Sequence, residues 1–191
     1  GPQGTPYEDG LFVFDVYCHA EYPKVPPLVN LQTTGHGTVG FNPNLYVCGK
    51  VCLSLLGTWR GGPNEMWQEN ESTLLQVFVS IQSLILVEQP YFNEPGYETT
   101  MGTETGKYMS AQYNETIRLG TLKWAILDQL LHPPAGFEEI TRQHFLIKRA
   151  SIMKNILKWL AEAKNSRTPQ YLENMQKVVG EIETQLQMLA P

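Results

Sequence analysis

The stretch Phe41–Leu56, FNPNLYVCGKVCLSLL, holds the residues whose types and spacing could do chemistry. Cys48 and Cys52 lie four residues apart, and Asn44, in an Asn-Pro-Asn turn, precedes Cys52 by eight. A cysteine thiolate is a nucleophile, so Cys52 is read as a working nucleophile with Asn44 placed to serve its reaction. Pro43 restrains the turn that would aim Asn44 back toward the sulfur. The bland readings stand beside this one. A cysteine before an apolar run is commonly a small core residue, and an asparagine in a turn commonly shapes the turn. A Cys-x-x-x-Cys pair could bind a metal, but no third or fourth ligand accompanies it. A redox site would want Cys-x-x-Cys at a helix start, which is absent. His19, His36, His132 and His144 show no triad spacing and are assigned to surface or core polar roles.

The elements that must position these residues run from strands to helices. Leu11 to Tyr17, LFVFDVY, is aromatic and β-branched and reads as a strand. YPKVPP at 22–27 must be extended. Leu28 to Thr33 reads as a second strand, antiparallel to the first, and Val39 and Phe41 as the start of a short third. Trp59 and Trp67 are read as anchors of the glycine-rich loop after Cys52. Thr73 and Gln76 fit a capping box, and Leu74, Val77, Ile81, Leu84 and Ile85 then fall at helical spacing, giving a buried helix from about Thr73 to Val87. Residues 99–109 are polar and glycine-bearing and read as mobile. Further helices are predicted from Tyr113 to Leu131, from Phe137 to about Lys164 and from Tyr171 to Leu189, with a break at 166–169. Strands first and helices later make the fold class α+β. The expected organisation is a core over residues 1–164 and a C-terminal helical extension over 165–191.

Composition narrows the function. The chain has 191 residues, 42% hydrophobic and 17% charged, with a formal net charge of −5. That length can bury a core. The acidic balance, with no Lys/Arg cluster, argues against a nucleic-acid partner. The apolar runs fall far short of the roughly 20 residues a membrane span needs. The first residues, Gly-Pro-Gln-Gly, do not read as a signal peptide. Three cysteines without framework spacing favour free thiols in a reducing compartment, so the expected localisation is cytoplasmic, with nuclear or membrane association through other domains as alternatives.

Several pieces in order resemble a ubiquitin-conjugating (E2, UBC) domain: TPYEDGLFVFDV, YPKVPP, NPN, GKVCLSLL, a Trp-containing loop, then a helix. NPNLYVCGKVCLSLLGTW, QSLILVEQPYFNEPGYE, KWAILDQLL and HFLIKR are similar to the large E2-containing proteins of the BRUCE/Apollon type, which combine conjugating and ligase roles. The resemblance implies the UBC fold, an antiparallel meander sheet with flanking helices. The chain would then begin between the first and second strands of that fold, leaving the N-terminal helix and first strand outside it.

The same resemblance implies thioester chemistry. Cys52 would accept ubiquitin from the activating enzyme and give it to a lysine of a protein substrate. Asn44 matches the residue that supports the oxyanion or the loop, and Glu94 lies on the loop matching the acceptor-side gate, with Tyr91 and Asn93 as equal alternatives there. Expected partners are ubiquitin, the activating enzyme, protein substrates and other domains of a larger protein. Regulators of apoptosis are the substrate class that the subgroup suggests. No cofactor is expected, since ATP is used by the upstream activating enzyme. The sequence departs from the family pattern in places. His-Pro-Asn is Asn42-Pro43-Asn44 here, the acidic residue two places after the cysteine is Ser54, and Lys24 replaces a phenylalanine that docks RING-type ligases. Glu69-Asn70-Glu71 replaces the Ser-Pro-Ala of the second docking loop, so ordinary RING-ligase docking is not expected. A catalytically inactive E2-like interaction module is the alternative reading.

Overall fold

A computed structural model describes residues 1–166 and 168–189. Arg167, Ala190 and Pro191 are outside the described residues, so the predicted break at 166–169 and the 165–191 extension are covered only in part. The chain divides into two units, one from Phe12 to Ser110 and one joining Gly1–Leu11 to the chain from Ala111 onward.

In the Phe12–Ser110 unit, β1 (Phe14–Tyr17) and β2 (Leu28–Leu31) pair antiparallel with Phe14 opposite Leu31 and Val16 opposite Val29. Both strands are shorter than the predicted runs. The predicted third strand at 39–41 does not form. In its place isolated antiparallel bridges join Asn30 to Lys50 and Leu45 to Val51, so the meander continues as single bridges. Helix α1 (Leu74–Ser80) starts where the capping box predicts: Thr73 Oγ1 accepts from the Gln76 amide at 3.2 Å, and Gln76 Oε1 accepts from the Thr73 amide at 2.7 Å. It continues as a π-helical segment, Ile81–Ile85, closed by the Leu86 amide on the Ile81 carbonyl at 3.0 Å. The wider π turn shifts the helical phase. Val77, Ile81 and Ile85 are buried, whereas Leu84, expected on the same apolar face, is 60% exposed. Phe78 packs edge-on against Phe14 of β1, with ring centroids 6.2 Å apart.

Helix α2 (Glu104–Gly120) begins nine residues before the predicted Tyr113, inside the stretch that read as mobile. Thr103 caps it, its Oγ1 accepting from the Gly106 amide at 3.0 Å. Gly106 masks this start in the sequence, but a Cβ there would collide with the Thr100 carbonyl, so the close approach requires glycine. The division between the units falls within α2.

In the second unit α2 runs on through a π-helical segment, Thr121–Leu127, into α3 (Asp128–Leu131). Helices α4 (Glu138–Ala163) and α5 (Pro169–Met188) follow, within a few residues of their predicted bounds. Phe145, Ile152, Ile156 and Trp159 of α4 and Met175, Val179, Ile182 and Leu186 of α5 recur at spacings of three, four and seven and form one cluster with Leu122 and Ile126. The stripe on the last helix is therefore a packing face. Gly1–Leu11 joins this unit through Leu11, whose amide donates to the Ala125 carbonyl at 2.8 Å, and through the buried Asp9, which pairs with Lys148 at 3.2 Å. No helix among the described residues is long and apolar enough to cross a membrane.

Candidate active site

The loop that carries Cys52 is fixed by backbone bonding on both sides of it. The Cys52 amide donates to the Asn44 carbonyl at 2.9 Å, and the Asn44 side-chain amide donates to the Cys52 carbonyl at 2.9 Å. Asn44 and Cys52 are thus tied together reciprocally, as the eight-residue spacing suggested. In this state the Asn44 donor serves the loop backbone and not the sulfur. Between them the chain turns back at Gly49, whose φ of 84° favours glycine, with the Gly49 amide on the Tyr46 carbonyl at 2.8 Å and the Tyr46 amide on the Lys50 carbonyl at 3.0 Å. After Cys52, the Thr58 hydroxyl donates to the Val51 carbonyl at 2.6 Å and accepts from the Leu53 amide at 3.0 Å, which holds the flanking backbone.

Asn42 ties this loop to the helix. It is 2% exposed. Its side-chain amide donates to the Ile85 carbonyl at 2.8 Å, while its oxygen accepts from the Asn44 amide at 2.8 Å and from the Asn93 side chain at 3.4 Å. Asn93 also donates to the Leu84 carbonyl at 2.9 Å, so the loop after the helix is anchored to the same place. Sequence reasoning noted Asn42 as a departure from the family pattern. It could not see the link to Ile85, which spans 43 residues.

Cys52 is only 2% exposed, yet it is not sealed. It lines an open groove of about 250 Å³ together with the polar residues Asn44, Ser54 and Asn93 and the apolar residues Leu53, Trp59, Leu84 and Ile85. The misplaced Leu84 is explained by this: it is a groove wall. Trp59 lines the groove, whereas Trp67 anchors its loop elsewhere, its indole donating to the Pro23 carbonyl at 2.6 Å. Glu94 is exposed and is not among the groove-lining residues. Its neighbour Asn93 is the one that enters. Cys18 and Cys48 are exposed free thiols. Among the described residues no group of His, Cys, Asp and Glu could hold a metal ion.

Tyr46 completes the surroundings of the sulfur. Its phenol is held above its usual range, first by the charge of Cys52, then by hydrogen bonding to the Cys52 side chain, with smaller contributions from burial, Glu94 and Cys48. Nothing in the periodicity pointed to this contact, because it depends on the turn at Gly49.

The arrangement suits a thiol that reacts with an acyl group from outside: an open groove of mixed lining, and a nucleophile on a braced loop. The family model for "Ubiquitin-conjugating enzyme" matches residues 1–120. The chain is 45% identical over 184 residues, 96% of its length, to "Probable ubiquitin-conjugating enzyme E2 R521" of Acanthamoeba polyphaga mimivirus. It is 54% identical over 162 residues, 85% of its length, to "Dual E2 ubiquitin-conjugating enzyme/E3 ubiquitin-protein ligase BIRC6" of Homo sapiens. It is 49% identical over 154 residues, 81% of its length, to "Putative ubiquitin-conjugating enzyme E2 38" of Arabidopsis thaliana. The chain spans 13%, 3% and 46% of these three relatives respectively. A family match over this span, joined to a UBC-type α+β fold with its cysteine in a groove, makes the chain a member of the ubiquitin-conjugating enzyme family.

Proposed function

We propose that this chain is an E2 domain that accepts ubiquitin as a thioester on Cys52 and transfers it to a substrate lysine. The observation that carries the reading is the position of Cys52, in the lining of an open groove on a backbone braced by Asn44 and Thr58. In the first step the Cys52 thiolate attacks the thioester that links ubiquitin to the activating enzyme. In the second a lysine amine attacks the Cys52 thioester, and the thiolate leaves. The low exposure of Cys52 suits this chemistry: a thioester shielded from water is lost less readily to hydrolysis than an exposed one.

Asn44 has two duties in this reading. At rest it braces Cys52. During aminolysis its amide would leave the Cys52 carbonyl and donate to the oxyanion. Glu94, exposed beside Asn93, is assigned to the acceptor side, where its carboxylate would draw in the lysine ammonium. The partners are ubiquitin, the activating enzyme and protein substrates. No cofactor is needed on this chain, since ATP acts at the activating enzyme. By likeness to a relative whose name states both E2 and E3 roles, the domain works within a longer protein that supplies ligase function. Cytoplasmic placement and regulators of apoptosis as substrates belong to the same reading. We take 1–164 as the conjugating core and 165–191 as its helical extension.

The test is charging with activating enzyme, ATP and ubiquitin, read without reductant. A band one ubiquitin heavier that collapses with thiol supports the reading. Its persistence in Cys52→Ala refutes the choice of sulfur. Asn44→Ala should charge normally and discharge onto lysine more slowly, on the order of 10²-fold. A defect confined to charging would leave Asn44 only its bracing role.

A further inference from the structure

We propose that Glu65 is a positioning residue for the incoming amine: its carboxylate, held beside the groove-lining Ser54, draws the ammonium of the acceptor lysine toward the Cys52 thioester. The inference rests on the thioester function proposed above and deepens it by naming a group that favours a cationic nucleophile.

The groove's own lining does not supply that charge. Asn44, Ser54 and Asn93 are neutral, and the remaining lining is apolar apart from Cys52 itself. A carboxylate comes to this lining from the glycine-rich loop that follows. A Cβ built on Gly61 would lie 2.5 Å from Ser54 Cβ, 2.8 Å from Ser54 Oγ and 2.7 Å from Glu65 Oε2. The hydroxyl and the carboxylate therefore face one gap, which stays open because residue 61 has no side chain.

Two 3-10 turns set this up, Ser54–Leu56 just after the cysteine and Pro63–Glu65 farther along. The second turn holds the carboxylate in place, since Glu65 Oε2 accepts from the Gly62 amide at 2.8 Å. Its charge is not spent on a cation of this chain. Glu104 pairs with Lys107 and Glu139 with Arg142, but no ion pair among the described residues engages Glu65.

Glu65 makes and breaks no bond. The lysine ammonium is attracted to the carboxylate and gives one proton to water. The free amine attacks the thioester carbonyl carbon, the C–N bond forms, and the C–S bond breaks with its electron pair going to the Cys52 sulfur. The amine's extra proton passes to water or to the departing thiolate. Because Glu65 is exposed, its pull on the ammonium is modest and is screened by salt. A neutral nucleophile feels none of it.

The experiment charges the 191-residue chain with activating enzyme, ATP and ubiquitin, removes ATP, and follows loss of the thioester to two nucleophiles. One is Nα-acetyl-lysine amide, whose only charge is its ε-ammonium, and the other is hydroxylamine, which is uncharged at neutral pH. Glu65→Gln keeps an oxygen for the Gly62 amide and removes the charge. It should charge as the parent does, slow about two- to fivefold toward the lysine amide and not slow toward hydroxylamine. Raising salt from about 0.05 to about 0.5 M should slow the parent toward the lysine amide and leave Glu65→Gln unchanged. Gly61→Ala, which crowds the carboxylate away from Ser54, should reproduce the selective loss, and the double variant should be no slower than either single one. Equal slowing toward both nucleophiles would make Glu65 a brace of its loop and overturns the inference. So does a Glu65→Gln chain that keeps the parent rate toward the lysine amide, or a double variant slower than both singles. Each of these results leaves the thioester function standing, whereas a chain that never charges overturns both.

Discussion

Replacing Asn42 by alanine tests whether this residue joins the cysteine loop to the helix. The side chain is 2% exposed and makes two hydrogen bonds at 2.8 Å and a longer one at 3.4 Å. Deleting it leaves the Asn44 amide and the Ile85 carbonyl without this partner in a site with little access to water. Each orphaned buried group costs about 1–3 kcal/mol, so with two of them Asn42→Ala should lose roughly 2–6 kcal/mol. In urea that moves the unfolding midpoint down by roughly 1–3 M, with an unchanged slope. Asn42→Asp separates the two bonds. Aspartate still accepts from the Asn44 amide, but when ionised it cannot donate to the Ile85 carbonyl and instead faces it with a charge. Burial and that carbonyl both raise the aspartyl pKa in the folded state above its unfolded value. The folded chain then binds the proton more tightly than the unfolded chain, so the associated stability is present below the ordinary carboxyl range and is lost as pH rises through the raised value. The gap between Asn42→Asp and the parent chain should accordingly be smallest in acid and widest near neutrality. A midpoint shift under about 0.3 M for Asn42→Ala, or a pH-independent gap for Asn42→Asp, would refute the reasoning.

Tyr171 is 6% exposed, and burial pushes its hydroxyl up to about 12, partly offset by the nearby Arg118. The folded chain therefore holds this proton more tightly than the unfolded one. The resulting stability is full below about pH 10 and is lost as pH rises toward 12, at most about 2–3 kcal/mol. Tyr171→Phe should flatten that part of an alkaline unfolding curve followed by circular dichroism. Ile182 of α5 is fully buried in the cluster shared with α4, so Ile182→Ala should cost about 2–5 kcal/mol in a denaturant titration. A value near zero would mean that the last helix is not integral to its unit.

Local signals that need only a few neighbouring residues were legible. The capping box at Thr73 and Gln76 set the start of α1, and the recurrence of Phe145, Ile152, Ile156 and Trp159 set the buried face of α4. Failures occurred where a residue answered to something distant or where the turn itself changed width. Gly106 argued against a helix by propensity, but it is there to let the Thr100 carbonyl approach. Leu84 was assigned to the core because a period of 3.6 carries it there. The π turn at Ile81–Ile85 breaks that period and turns Leu84 toward the groove. The third strand failed for another reason: the chain around Phe41 and Leu45 spends its hydrogen bonds on turns and leaves only single bridges for the sheet.

The same distinction decides how much of the site could be read. Asn44 and Cys52 are close in sequence and joined by one tight turn, so their spacing of eight was enough to pair them. Glu94, Tyr91 and Asn93 were all candidates on the loop that the resemblance implies, and of these Asn93 lines the groove while Glu94 stays on the surface. The residues that make the cysteine loop rigid are joined across the fold: Asn42 to Ile85, and Asn93 to Leu84 and Asn42. Such links have no periodic signature, because a neutral amide can bond any carbonyl that tertiary structure brings near it. A network of this kind, with Asn42 at its buried end, stabilises most when every member is satisfied. Loss of either of these two amides should therefore loosen the cysteine loop more than the count of its bonds suggests. The substitution of Asn42 for the family's usual histidine is physically acceptable for the same reason. One amide both donates to Ile85 and accepts from Asn44 at any pH, whereas a histidine in that place would do so only as the neutral ring.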